Sequence, residues 1–293
     1  MADRAAFPYH PPVTQSMPHP EMTPLAALRW LVEAGADEAI VEDPVNRFRR
    51  PENASRPATA TSAVRPAPAA RVPIATGSPA GRADPIGQAL EIAGACTTLA
   101  ELKAAIEAFD GCALKEHATR TVFADGTPAH RILFIGEAPG REEDAAGLPF
   151  VGRAGQLLDR MLAAIGLDRK TNVYITNVIN WRPPANRDPT PEEAAACLPF
   201  LRRHIELVAP GIIVLLGAVA VRHVMGRSEG IMRLRGNWLE YHAGGRMVPV
   251  MPTLHPAYLL RRPAEKRLAW RDLQAIGARI EALGLLERAA ATG

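Results

Sequence analysis

The chain has 293 residues, a formal net charge of +3 and three cysteines. Three cysteines, an odd number, argue against a disulfide framework. With no apolar run long enough to span a bilayer and no charged-then-apolar N-terminus, a cytoplasmic protein with no membrane partner is expected. So small a net charge permits a polyanionic partner without requiring one.

Residues 1–52 read as an N-terminal extension with one short helix, in which Thr23 caps, Pro24 takes the first helical position, and Leu25, Leu28, Trp30 and Leu31 follow. Fourteen of the 27 prolines fall within the first 85 residues. The stretch 53–88 mixes them with Ala, Thr, Ser and Arg and has almost no large apolar side chain. Burial there cannot offset the entropy of ordering, so a flexible linker is expected. Residues 89–287 remain, roughly 200 in all and enough for one sizeable core.

Within 89–287, four short apolar runs read as buried parallel strands. They are Arg131 to Gly136, Asn172 to Asn177, Ile212 to Gly217 and Met247 to Met251. Helical patterns separate them. Leu157, Leu158, Met161, Leu162 and Ile165 repeat at helical spacing, with Gly166 as a C-terminal stop. Thr190-Pro191-Glu192-Glu193 combines a capping box with proline at the first helical position, and a last helix from about Ala264 would bury Leu268, Leu273, Ile276 and Ile280. The fold expected is α/β: a three-layer αβα domain on a central, mainly parallel four-stranded sheet, and a monomer.

The four strands stop at Glu137, Asn177, Gly217 and His255. In an open parallel sheet the ligand sits beyond the carboxyl ends of the strands, so these positions should line one pocket. The first stop opens Gly136-Glu137-Ala138-Pro139-Gly140, then Glu142-Glu143-Asp144 and Pro149-Phe150-Val151-Gly152. The glycine spacing fits neither dinucleotide nor P-loop patterns, and four acids would repel a phosphate. Backbone amides, carboxylates and an aromatic ring are instead the parts needed to hold a planar polar ring. Beyond His255, Arg261, Arg262, Lys266, Arg267 and Arg271 stand against a single acid, Glu265.

These residues bear a family likeness. Gly136-Glu137-Ala138-Pro139-Gly140 with Glu143-Asp144, Pro149-Phe150-Val151-Gly152 and Gly155-Gln156-Leu157-Leu158 resembles the first motif of the family 4 uracil-DNA glycosylases. Thr176-Asn177-Val178 with Arg182-Pro183-Pro184 and Asn186-Arg187, then His255-Pro256-Ala257, resemble its second and third motifs in the same order. The resemblance implies an enzyme that flips uracil out of DNA and hydrolyses its N-glycosidic bond, leaving an abasic site without a lyase step. It implies Asn177 reading N3–H and O4, Phe150 stacking, backbone amides around Glu137 to Gly140 holding the O2 edge, with Gly136, Ala138, Pro139 and Gly140 lining the base, and His255 stabilising the leaving anion. Glu137 is the first candidate for water positioning, since Ala138 offers only a methyl, and Glu143 would crowd the C5 edge against thymine. Tyr258, Leu259, Leu260, Arg261 and Arg262 resemble a loop that enters DNA, with Arg182, Asn186, Arg187, Lys266 and Arg267 on the flanking strand.

One departure is large. The family holds a four-iron four-sulfur cluster on four cysteines, and the positions here read Phe109, Cys112, Trp181 and Cys197. Four thiolates are the normal requirement, so no cluster and no other cofactor is expected. A zinc site on Cys96, Cys112, Cys197 and His117 is the weaker alternative. Two other functions stay open: a non-catalytic binder of uracil or abasic sites, and a small-molecule nucleoside hydrolase, for which the basic segment would be unnecessary.

Overall fold

The computed structural model describes residues 84–286. The helix expected after Thr23 and most of the expected linker lie outside the described residues. The linker boundary at 88 is corrected: Asp84 already caps a helix, its Oδ1 accepting from Ile86 N–H at 3.1 Å with Pro85 at the first position.

Helices α1 (Pro85–Ala95) and α2 (Leu99–Ala108) come first, α2 capped by Thr98. Then follow β1 (Ala124–Gly126), β2 (Ile132–Gly136), α3 (Arg141–Ala146), α4 (Arg153–Ala163), β3 (Tyr174–Asn177) and α5 (Pro191–Val208). The chain continues through β4 (Ile212–Leu216), α6 (Ala218–Met225), α7 (Ile231–Leu234), β5 (Leu239–Ala243), β6 (Arg246–Thr253), α8 (Pro256–Arg261) and α9 (Lys266–Ala282). Among the described residues the sheet has six strands in the order β1-β3-β2-β4-β6-β5, not four. The expected parallel set β3-β2-β4-β6 is its centre, and antiparallel β1 and β5 extend it on both sides.

Strand alternation makes two cores from one run of apolar residues. Leu133, Ile135, Ile213, Leu215, Val248 and Val250 meet α1, α2, α5 and α6 on one face. Ile132, Phe134, Ile212, Val214, Leu216 and Met251 meet α4, α8 and α9 on the other. Each such side chain, fully buried, contributes roughly 1.5–3 kcal/mol. The amphipathic stripe of α4 is as its spacing predicts, with Leu157, Leu158, Met161 and Leu162 buried. The capping box of α5 also forms, with Thr190 Oγ1 accepting from Glu193 N–H at 3.2 Å and Glu193 Oε2 accepting from Thr190 N–H at 2.8 Å. Among the described residues no helix is long and apolar enough to cross a membrane.

Candidate active site

Register brings the first two strand ends together: Gly136 pairs with Asn177 across β2 and β3. A side chain on Gly136 would collide with Asn177 Oδ1 and the edge of the Phe150 ring, so the glycine lets amide and ring converge over the backbone. Asn177 is 2% exposed, and its Oδ1 has no hydrogen-bond partner among the described residues. An acceptor buried in that way costs about 1–3 kcal/mol unless something bonds to it. The Phe150 ring lies 5.5 Å from the ring of His255, tilted by 33°. Three of the four strand ends thus form one constellation, and Gly217 serves it sterically: its φ is +93° and a β-carbon there would sit 3.0 Å from His255 Cβ.

His255 caps α8, its Nδ1 accepting from Ala257 N–H at 3.1 Å. That bond leaves the proton on Nε2. Burial first, then the positive charge of Arg261, push its pKa down to about 4, so the ring is neutral at physiological pH and Nε2–H is a donor. Glu137 moves the other way. Burial, then the negative charge of Asp188, hold its carboxyl at about 7 against the opposing pull of Arg222.

Glu143 is bound into its own loop. Its Oε1 accepts from Val151 N–H at 3.0 Å and Gly152 N–H at 2.9 Å, and its Oε2 from Gly140 N–H at 3.1 Å. Both oxygens are thus engaged by backbone amides, so Glu143 ties the two halves of the loop together. The Gly140 amide is spent in the same bond, and Pro139 has none. Ala138 turns its methyl into the core on the α5 side.

The basic segment is a helix, not the expected loop. Leu259 is 1% exposed and belongs to the core on the α9 side, so it cannot wedge into a duplex. Tyr258 and Leu260 are part-exposed, and Arg261, Arg262, Lys266 and Arg267 are exposed. Arg182 Nε donates to Asn186 Oδ1 at 2.7 Å on an exposed turn. Arg187, expected on phosphates, forks onto both oxygens of Glu193 at 2.6 and 2.8 Å and so is held at the start of α5.

Phe109, Cys112, Trp181 and Cys197 lie in one core cluster. Phe109 packs edge-on against Phe200 at 5.0 Å, and Trp181, 1% exposed, donates from Nε1 to Thr121 Oγ1 at 3.1 Å. A hydrogen bond between the two sulfurs raises the Cys197 thiol and lowers that of Cys112. Two sulfurs beside two well-packed aromatic side chains do not fit a group that needs four thiolates. Cys96 bonds instead to the Ile92 carbonyl of its own helix at 3.2 Å, and no metal-binding group of His, Cys, Asp and Glu exists among the described residues.

Sequence reasoning missed Arg169, Asp188, Arg222 and the pair Arg235–Asp272. Asp272, 1% exposed, binds Arg235 and accepts from Thr253 Oγ1 at 2.7 Å, which anchors the end of β6 just before His255. All of these act on the site from distant segments, and no local motif marks them.

A neutral imidazole donor, a buried unsatisfied amide oxygen and an aromatic face thus meet beyond the carboxyl ends of the strands. Residues 123–274 match the family described as the uracil DNA glycosylase superfamily. The chain is 45% identical over 166 residues to a type-4 uracil-DNA glycosylase of Thermotoga maritima, covering 56% of this chain and 84% of the relative. It is 44% identical over 167 residues to that of Archaeoglobus fulgidus, covering 55% and 83%. A type-5 uracil-DNA glycosylase of Pyrobaculum aerophilum is 35% identical over 109 residues, covering 32% and 48%. This chain belongs to the uracil DNA glycosylase superfamily, within its type-4 group.

Proposed function

We propose that this protein flips uracil out of DNA and hydrolyses its N-glycosidic bond, leaving an abasic site. The observation that carries the reading is the unpartnered Oδ1 of Asn177 beside Phe150 and His255. Uracil supplies what that oxygen lacks, an N3–H donor, while its O4 accepts from the amide nitrogen. Cytosine has no hydrogen on N3 and a donor at C4, so it leaves the amide unpaired on both sides. Phe150 stacks on the ring, and Nε2–H of His255 donates to O2 as the base departs with negative charge. A neutral donor suits this task because it stabilises the anion without first giving up its proton. Glu137 orients the attacking water toward the electron-poor sugar. With Gly140 engaged, Glu137 and Ala138 are the amides of this turn left to the base. The enzyme acts as a monomer without an iron–sulfur cluster, and the free thiols of all three cysteines support a reducing cytoplasmic setting.

Incubation with a uracil-containing oligonucleotide, followed by alkali, tests the reading. Strand cleavage only after alkali is the expected result. Retarded but uncleavable DNA would make the protein a binder, and hydrolysis of free uridine alone would make it a nucleoside hydrolase.

Two further results are expected. If Glu137 works as a carboxylate, single-turnover excision rises with pH through about 7 and then levels, because the group is ionised only above that value. Glu137→Gln removes this limb and lowers the plateau by about 100-fold. His255, neutral above about 4, adds no limb in that range. The effect on stability has the opposite sign: the folded state holds the Glu137 proton longer than the unfolded chain, so stability falls as pH rises from the ordinary carboxylate range to about 7. Replacing Arg261 and Arg262 with glutamine weakens binding to DNA of any sequence and reduces the salt slope by about 1–2. An unchanged slope in fluorescence-anisotropy titrations removes α8 from the interface.

A further inference from the structure

We infer that Arg169 is a positioning residue for the uracil-stacking ring of Phe150, an inference that rests on the glycosylase reading of the site. Phe150 has φ +54°, the left-handed region that a bulky aromatic residue adopts only when its surroundings enforce it. The bonds that enforce it come in two sets. On the amide side, Val151 and Gly152 donate to Glu143, a member of the recognised loop. On the carbonyl side, Arg169 donates from Nη1 to Pro149 O at 3.1 Å and from Nη2 to Phe150 O at 2.7 Å. The bend also depends on Gly155, where any side chain would collide with the Phe150 carbonyl.

Arg169 is itself held from two elements. Its Nε donates to Asp159 of α4 at 2.7 Å and its Nη1 to Asp125 of β1 at 3.0 Å, and its side chain is only 12% exposed. The two carboxylates offset the desolvation of the guanidinium. They also aim its fork, so the planar donors reach successive carbonyls as a lysine ammonium could not. Gly126 of β1, with φ +90°, packs against the Arg169 carbonyl, where a β-carbon would lie 2.6 Å away. The tight turn that carries Arg169 is therefore clamped as well. The Phe150 ring is in this way connected to the middle of α4 and to an edge strand.

The test is a double-mutant cycle in the full-length protein, comparing wild type, Arg169→Met, Phe150→Ala and the double variant. Single-turnover excision at saturating enzyme, affinity for a uracil-free duplex and melting temperature are measured for each. Arg169→Met is expected to slow excision by about 10–100-fold, the scale of a misplaced positioning group, with duplex affinity unchanged. In the Phe150→Ala background it should slow excision by less than about threefold further, because its route of action is already gone. Wild-type excision by folded Arg169→Met, or losses that multiply in full, overturns the inference. Absence of excision by the wild type is instead a failure of the glycosylase reading. Crystal structures of wild type and Arg169→Met decide the geometry in either case: Phe150 leaving the left-handed region supports the inference, and an unmoved Phe150 overturns it.

Discussion

Asn177→Ala is expected to lower single-turnover uracil excision by two or more orders of magnitude, about 3 kcal/mol at the transition state, while affinity for uracil-free duplex stays the same. The size follows from where the amide sits. At 2% exposure it cannot be replaced by water without loss, and its Oδ1 has nothing else to bond among the described residues. The split between rate and affinity follows from charge, because the phosphate contacts proposed for α8 and beyond would be made whichever base is present. A variant that lost duplex affinity as much as it lost excision would show Asn177 to be a structural support and not a reader. The alanine variant should also be slightly more stable than the wild type, since the buried unsatisfied oxygen goes with the side chain. Urea titration reads that sign directly.

The second large effect concerns the place where the type-4 group has its cluster. Purified protein is expected to be colourless, free of stoichiometric iron, and active after prolonged exposure to chelator. Trp181→Ala is expected to destabilise the fold by about 3–5 kcal/mol, the usual cost of emptying a buried aromatic site. Trp181 is 1% exposed and also bonds Thr121, so the cavity would be accompanied by an unpaired hydroxyl. Activity per folded molecule should be unchanged, because Trp181 acts on the core shared by α2 and α5 and not on the pocket. Stoichiometric iron with visible absorbance would overturn this and require that Cys96 or another ligand be recruited. A Trp181→Cys/Phe109→Cys double variant then asks the converse question, whether four thiolates at these positions suffice to take up iron when it is supplied with sulfide.

How much could be read in advance differs between elements. The four central strands were legible because each is a short unbroken apolar run, the signature of a strand buried on both faces. The edge strands were harder. β1 is three residues, Ala-Asp-Gly, with no apolar signal. β5 alternates Leu239-Glu240-Tyr241-His242-Ala243 and is joined to β6 by Gly244-Gly245, so a hairpin signal was present there. Helices α1 and α2 lie in a stretch weak in large apolar residues and are helical chiefly through their caps and their packing on α5.

The amino-acid sequence by itself determined the αβα plan and that Asn177 and His255 fall at strand ends on one side of the sheet, where Phe150 joins them. Local hydrophobic period sets where a strand ends, and strand ends in a parallel sheet share one side. Only the tertiary structure decided which polar groups remain available there. Glu143 and Arg187 look free in the sequence, yet Glu143 accepts from amides of its own loop and Arg187 forks onto Glu193 at the start of α5. Leu259 reads as an exposed wedge, but α8 turns it into the core. Arg169, within the unremarkable Asp168-Arg169-Lys170, becomes a buried four-way tie. Hydrogen bonds and ion pairs between residues far apart along the chain carry no periodic trace, so their allocation appears only once the fold has brought the partners within about 3 Å.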